Sequence, residues 1–133
     1  MNEAILIAII ALTGALIIKR LGFIDRLRGI NSVNVYEAKD LISNQDAVIL
    51  DVRTKDEYAA ARIPEARHIP LRQMAQHLKE LEPLKERPIL VSCRSGSRSA
   101  RACSYLKRQG FENVYNLRGG LVAWSRANLA LES

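Results

Sequence analysis

Pro88-Ile89-Leu90-Val91-Ser92-Cys93-Arg94-Ser95-Gly96-Ser97-Arg98-Ser99-Ala100 is the stretch on which the reading of this chain turns. Its first half is a short apolar run with β-branched residues, the pattern of a strand buried on both faces. Its second half is polar and contains Gly96, and over about residues 98–109 the pattern becomes helical, with Gly110 just past the end. A strand that passes through a tight loop into a helix is the unit of parallel α/β sheets. Ligands bind such sheets at the carboxyl ends of the strands. Cys93 stands at such an end.

The loop explains itself as chemistry. Successive backbone N–H groups and the positive end of the following helix converge on the sulfur. Arg94 and Arg98 add positive charge, so thiolate is favoured over thiol and Cys93 becomes a low-pKa nucleophile. The same cradle, Arg94 through Ser95, Gly96, Ser97 and Arg98 to Ser99, would hold an anionic substrate. A cysteine ending a strand is often only a small buried residue. Against that stands the Arg-Ser-Gly-Ser-Arg run, for which packing offers no use.

Outward from the loop, apolar runs alternate with helical patterns. Residues 33–35 read as a short strand, 37–43 as a helix and 47–52 as a buried strand. Thr54 and Glu57 form a T-x-x-E capping box opening a helix to Ala61, which Pro64 stops. A brief strand is expected around His68-Ile69, and a helix over 71–81 with Leu71, Met74, Leu78 and Leu81 on one face. A strand over 113–117 and a helix over 121–129 complete an α/β domain on a parallel sheet.

Asp51 and Arg53 end the strand expected beside that of Cys93. Arg53 could steer an anion while Asp51 orients the loop, or the two could be a structural ion pair or helix cap. Cys103 shares its spacing with Ala100 and Leu106 and should face the core. His68 and His77 read as surface or helix residues. Gly119-Gly120 and Trp124 read as turn and core, with a pocket wall as the other option.

The chain has 133 residues, a formal charge of +6 and 48% hydrophobic residues, which suits one domain with a short extension. The positive excess is local. Lys19, Arg20, Arg26 and Arg28 follow the apolar N-terminus, others crowd the Cys93 loop, and aromatics are scarce, so nucleic acid is not an expected partner. Neither cysteine has a histidine at ligand spacing, so no metal site and no cofactor are expected. Two cysteines give no disulfide framework and suggest a reducing compartment.

From Ala4 to Ile18 the chain reads AILIAIIALTGALII, with Thr13 its one polar residue. Such a run makes roughly 22 Å of helix at 1.5 Å per residue, short of a hydrocarbon core of about 30 Å. Snorkelling of Lys19 and Arg20, with continuation through Leu21 to Ile24, would close the gap. A signal peptide would place its positive charges first, whereas this chain begins Met-Asn-Glu. A core helix apolar on every side would need protein all around it. The expectation is a transmembrane anchor over 1–21, a basic juxtamembrane linker over 22–30 and a domain over 31–133. Positive charge after the apolar run places the domain on the cytoplasmic face of the cell (inner) membrane, as a single-pass protein.

From about residue 31 to 127 the chain resembles the rhodanese family. The resemblance lies in Leu50-Asp51-Val52-Arg53 with Glu57-Tyr58, in Ile63-Pro64 and Ile69-Pro70, and in the Cys93–Ser99 loop. It continues in Gly110-Phe111 with Asn113-Val114-Tyr115, then Gly119-Gly120 and Trp124. It implies a three-layer α/β/α domain with a five-stranded parallel sheet in the order 3-2-4-5-1. It also implies that Cys93 takes a sulfane sulfur from a small anionic donor such as thiosulfate and passes it to a thiophilic acceptor. A protein thiol is one such acceptor, and a sulfur carrier or docking module at the membrane is the alternative reading. Related phosphatases use C-x5-R, whereas Cys93 to Arg98 is C-x4-R, the sulfurtransferase length. Where the family commonly has Gly-His-Ile-Pro-Gly-Ala, this chain has Ala61-Arg62-Ile63-Pro64-Glu65-Ala66, which should add a charge pair at that turn.

Overall fold

Residue order alone already fixes where the Cys93 loop must emerge, because every strand of the sheet runs the same way. The structure is a computed structural model that describes residues 2–27 and 29–133, and side chains outside 18–28. Its elements are helix α1 (Glu3–Leu27), β1 (Asn31–Val33), α2 (Val35–Gln45), β2 (Val48–Asp51), α3 (Lys55–Ala60) and β3 (Arg67–His68). A 3-10 segment (Leu71–His77), α4 (Leu78–Leu81), a second 3-10 turn (Glu82–Leu84), β4 (Ile89–Ser92), α5 (Ser97–Arg108), β5 (Val114–Leu117) and α6 (Gly120–Arg126) follow.

The strands form one five-stranded sheet in the order β1-β5-β4-β2-β3, all parallel. This is the order the family resemblance implied. β2 and β4 are buried at every residue, as central strands covered by helices on both faces must be. Side chains alternate between the faces. Leu50, Ile89, Val91 and Val114 pack with Met74, Leu81, Leu106 and Phe111 on one side. Ile49, Leu90 and Leu117 pack with Ala38, Leu41 and Trp124 on the other. Burying each of these large side chains stabilises the fold by about 1.5–3 kcal/mol. The register sets Asp51 beside Ser92 and Val91 beside Asn116, so β2, β4 and β5 all end at one edge.

Local sequence explains the boundaries. The Thr54–Glu57 capping box opens α3 as expected, with Thr54 Oγ1 accepting from the Glu57 N–H and Glu57 Oε1 accepting from the Thr54 N–H. A second box, Asn34 with Glu37, starts α2 two residues before the expected 37–43. There the side-chain cap overrides the β preference of Val35. The expected helix over 71–81 is instead a 3-10 segment followed by one α turn, broken at His77 (φ −109°, ψ 11°). Met74 and Leu81 are buried, while Leu71 and Leu78 are only half-buried.

The N-terminal region differs from the expectation. α1 continues to Leu27, so helix occupies most of the expected linker. Among the described residues no helix is long and apolar enough to cross a membrane, and the structure therefore does not supply the transmembrane helix expected over 1–21. Met1 and the side chains of 18–21 lie outside the described residues. Along the described part of α1, Ile7, Ile10 and Leu12 are each more than 60% exposed.

Candidate active site

β4 delivers Cys93 into the loop with no accessible surface of its own. Gly96 lies at φ 105°, where a side chain is strained, and a Cβ there would stand 3.3 Å from the Gly119 nitrogen. This turn aims the Gly96 N–H at Cys93 Sγ, 3.1 Å away. Ser99 Oγ lies 3.3 Å from the same sulfur.

Ser99 also donates to Asn116 Oδ1 at 2.5 Å, and Asn116 Nδ2 donates to the Gly96 carbonyl at 3.2 Å. The serine hydroxyl has one hydrogen for two acceptors. With Cys93 as thiol, that hydrogen stays on Asn116 and the S–H turns to Ser99 Oγ. With Cys93 as thiolate, it can turn to the sulfur. Burial pushes the Cys93 pKa up, but hydrogen bonds from the Ser99 hydroxyl and from the N–H groups of Ser99, Gly96 and Ser95 outweigh it. The net direction is down, toward thiolate.

The back of the loop is held by α6. Leu121 N–H donates to the Cys93 carbonyl at 2.9 Å and Val122 N–H to the Arg94 carbonyl at 3.1 Å. A Cβ on Gly120 would sit 2.3 Å from the Cys93 carbonyl oxygen. Gly119-Gly120 thus form the close turn that lets α6 meet the loop, and Trp124 is core, with Nε1 donating to the Ala130 carbonyl at 2.9 Å.

The structure distributes the expected site residues unequally. Arg94, Ser95 and Ser97 are exposed at the loop surface. Arg98 is half-buried and donates to both oxygens of Glu57, at 2.7 and 2.9 Å. The Arg98 hydrogen bond, opposed by burial and aided by Thr54, holds the Glu57 carboxyl at about 2. Glu57 in turn raises Arg98.

Asp51 and Arg53 face inward. Asp51 is fully buried and accepts from Arg53 Nε at 3.0 Å and NH2 at 2.8 Å. The guanidinium of Arg53, only 5% exposed, also donates to the carbonyls of Glu57 at 3.2 Å and Ala61 at 2.6 Å. Arg53 therefore ties down the middle and the C-cap of α3, and α3 supplies the Glu57 that holds Arg98. His68 Nε2 donates to the Arg53 carbonyl at 2.7 Å and its ring stacks on Tyr58, 4.3 Å between centroids. Cys103 is buried on α5 within the core.

Two site residues escaped the sequence reading. Asn116 is a polar residue at a buried position of β5, and that contradiction with the apolar pattern was its signal. Glu57 was visible only as a helix cap, and its second task depends on α3 and α5 meeting across the sheet edge. The expected charge pair at Ala61–Ala66 also differs: Arg62 reaches Glu132 at 3.3 Å and lies over the Tyr58 ring, while Glu65 adopts a left-handed φ of 67°.

A buried cysteine in the loop between a central strand and a helix, at the carboxyl edge of a five-stranded parallel sheet, defines a class of cysteine-loop α/β domain, and comparison with known proteins gives it a family. The rhodanese-like domain profile matches residues 34–127. A sulfurtransferase of Allochromatium vinosum is 40% identical over 91 residues, 68% of this chain and 83% of that protein. Thiosulfate sulfurtransferase GlpE of Vibrio cholerae is 35% identical over 101 residues, 76% of this chain and 93% of that protein. The crystal structure of a rhodanese-like domain protein from Staphylococcus aureus superposes with a TM-score of 0.67 at 31% identity, covering 78% of this chain and all of that one. The chain belongs to the rhodanese-like domain family, with sulfurtransferases among its relatives.

Proposed function

We propose that this chain is a thiosulfate-type sulfurtransferase working through a Cys93 persulfide. The Cys93 thiolate attacks the outer sulfur of an anionic donor such as thiosulfate. A new S–S bond forms, the donor's S–S bond breaks, and its electron pair leaves with sulfite. Arg94, the one exposed cation of the loop, meets the donor, and Arg98 lends its charge from its seat on Glu57. The N–H groups of Ser95, Gly96 and Ser99 stabilise the anionic sulfur. An acceptor nucleophile then attacks the outer sulfur and the electron pair returns to Cys93, a ping-pong cycle. The convergence of the Gly96 N–H and Ser99 Oγ on Cys93 Sγ carries this reading.

The chain acts at a membrane in this proposal, tethered by its N-terminal segment with the domain on the cytoplasmic side. Support comes from the uncharged run Ala4–Ile18, the exposed apolar side chains along α1 and the basic residues that follow. Membrane fractionation and thiol labelling from each side test the tether and its direction. Recovery of the full chain in the aqueous fraction would remove it.

The chemical test incubates the full chain, in neutral detergent, with thiosulfate and cyanide. Thiocyanate that disappears in Cys93→Ser, with one added sulfur on the intact mass of the native chain, is the expected result. Thiocyanate production that persists in Cys93→Ser would overturn the assignment.

A further inference from the structure

Beside the cysteine loop a cleft of about 1140 Å³ opens between α5 and the 3-10 segment. Small-molecule sites hold roughly 300–1,000 Å³, and thiosulfate is far smaller than any drug-sized ligand. The cleft is therefore oversized for the donor. Its floor is apolar, built by Leu71, Met74 and Tyr105, and its walls carry Arg72, Arg101 and Arg108. Arg98, the last cation of the Cys93 loop, lines it too, so the cleft runs up to the loop that would hold the persulfide.

The charge on these walls is uncompensated. No carboxylate lines the cleft, and among the described residues none of the ion pairs involves Arg72, Arg101 or Arg108. All three side chains are exposed. Arg101, Tyr105 and Arg108 fall at i, i+4 and i+7 of α5, so a continuous strip of that helix faces the opening. An apolar floor between arginine walls complements a polypeptide segment with apolar residues on one side and carboxylates on the other. A flat lipid surface does not fit a concave floor, and a single tyrosine offers no stacking platform for nucleic acid.

We propose that this cleft docks an acidic, amphipathic segment of the protein thiol that receives sulfur from Cys93. This rests on the sulfur-transfer reading above and names its acceptor class. The docked thiolate attacks the outer sulfur of the persulfide. An S–S bond forms on the acceptor, the Cys93 S–S bond breaks, and the electron pair returns to Cys93 as thiolate.

The test uses the full chain in neutral detergent and two labelled helical peptides, each with one cysteine. One carries leucines on one face and glutamates on the other; its counterpart has lysines for the glutamates. Fluorescence anisotropy reads binding, and mass spectrometry reads sulfur passed from the persulfide to the peptide thiol. The glutamate peptide should bind and the lysine peptide should not. Arg101→Glu with Arg108→Glu should weaken binding and raise the peptide KM by about tenfold or more, with thiocyanate formation from cyanide unchanged. Arg72→Glu, on the facing wall, should act in the same direction. Equal binding of both peptides, or binding indifferent to these substitutions, overturns the proposal. So does arginine-dependent capture of phosphatidylserine vesicles without peptide binding. Failure of the sulfur-transfer reading shows separately, as missing Cys93-dependent thiocyanate, and the anisotropy measurement stands apart from it.

Discussion

Glu57 grips Arg98 through two hydrogen bonds of 2.7 and 2.9 Å, joining α3 to the first turn of α5 across the carboxyl edge of the sheet. The pair is bidentate, the geometry in which an arginine–carboxylate contact is strongest. Because Glu57 is held at about 2 against an ordinary value of 4.5, the folded state binds its proton less readily than the unfolded chain. Its contribution is fully present above about pH 4.5 and is lost as pH falls toward 2. Both partners are about one-third exposed, so solvent screening limits the pair to about 1 kcal/mol. Denaturant melts at pH 6 and pH 3 should show a smaller pH difference in Glu57→Gln than in the native chain. An identical difference would mean the pair contributes nothing.

The thiolate bias of Cys93 is testable without any assumption about its substrate. Iodoacetamide alkylation should rise with pH around a midpoint below that of an ordinary thiol, about 8.5. Ser99→Ala removes the largest hydrogen bond that lowers it. The midpoint should then move up, because burial still disfavours the charge. A midpoint unchanged by the substitution would assign the stabilisation to the loop N–H groups alone.

Asn116 joins Ser99 to the Gly96 carbonyl and is almost fully buried. Asn116→Leu would leave both groups without this partner, at a cost of about 1–3 kcal/mol each. A lower Tm and a raised alkylation midpoint for Cys93 are expected together. Loss of Tm with an unaltered midpoint would show that Asn116 supports the fold and not the orientation of Ser99.

The sheet, the capping box on α3 and the strand-loop-helix passage through Cys93 were legible because each is written locally: a β-branched run, T-x-x-E, and a cysteine before a Gly-Ser loop. Contacts between elements were not. Nothing in the order of residues says that Glu57 meets Arg98 or that Asn116 reaches Ser99, since both depend on strand register. Arg53 shows the same limit. Its place two residues after Asp51 suits either an anion-steering or a structural arginine, and only packing shows its guanidinium filled by Asp51 and two carbonyls. α2 was misplaced by two residues because Val35 reads as strand until Asn34 is recognised as its cap. The break at His77 has no sequence signal that we can identify.

Glu65 sits at φ 67°, a conformation glycine adopts freely and other residues adopt at a cost of roughly 1–2 kcal/mol. Its carboxylate forms none of the ion pairs among the described residues, and the residue is exposed. Glu65→Gly would release the backbone strain while giving the unfolded chain more freedom, worth about 0.5–1 kcal/mol the other way. The balance favours the glycine by a few tenths to about 1 kcal/mol, read as a Tm rise of a few degrees. Thiocyanate formation should be unchanged, because the exposed Glu65 carboxylate forms no ion pair with Arg98 or any other residue of the Cys93 loop.

Gly120 offers the sharpest test of the docking between α6 and the loop. A methyl group there would lie 2.3 Å from the Cys93 carbonyl oxygen and 2.7 Å from the Arg94 carbonyl oxygen, both backbone atoms. Neither can swing aside as a side chain would, and φ is already positive at 54°. Gly120→Ala must therefore push α6 away from the loop, breaking the bonds from Leu121 and Val122 that fix its carbonyls. We expect a loss of about 2 kcal/mol or more in stability. The soluble fraction that remains folded should lose sulfur transfer more steeply than it loses Tm, because the loop N–H groups no longer point at the sulfur. Gly14→Ala, which meets nothing within 4 Å, is the matched control. Equal behaviour of the two variants would show that the loop holds its shape without α6.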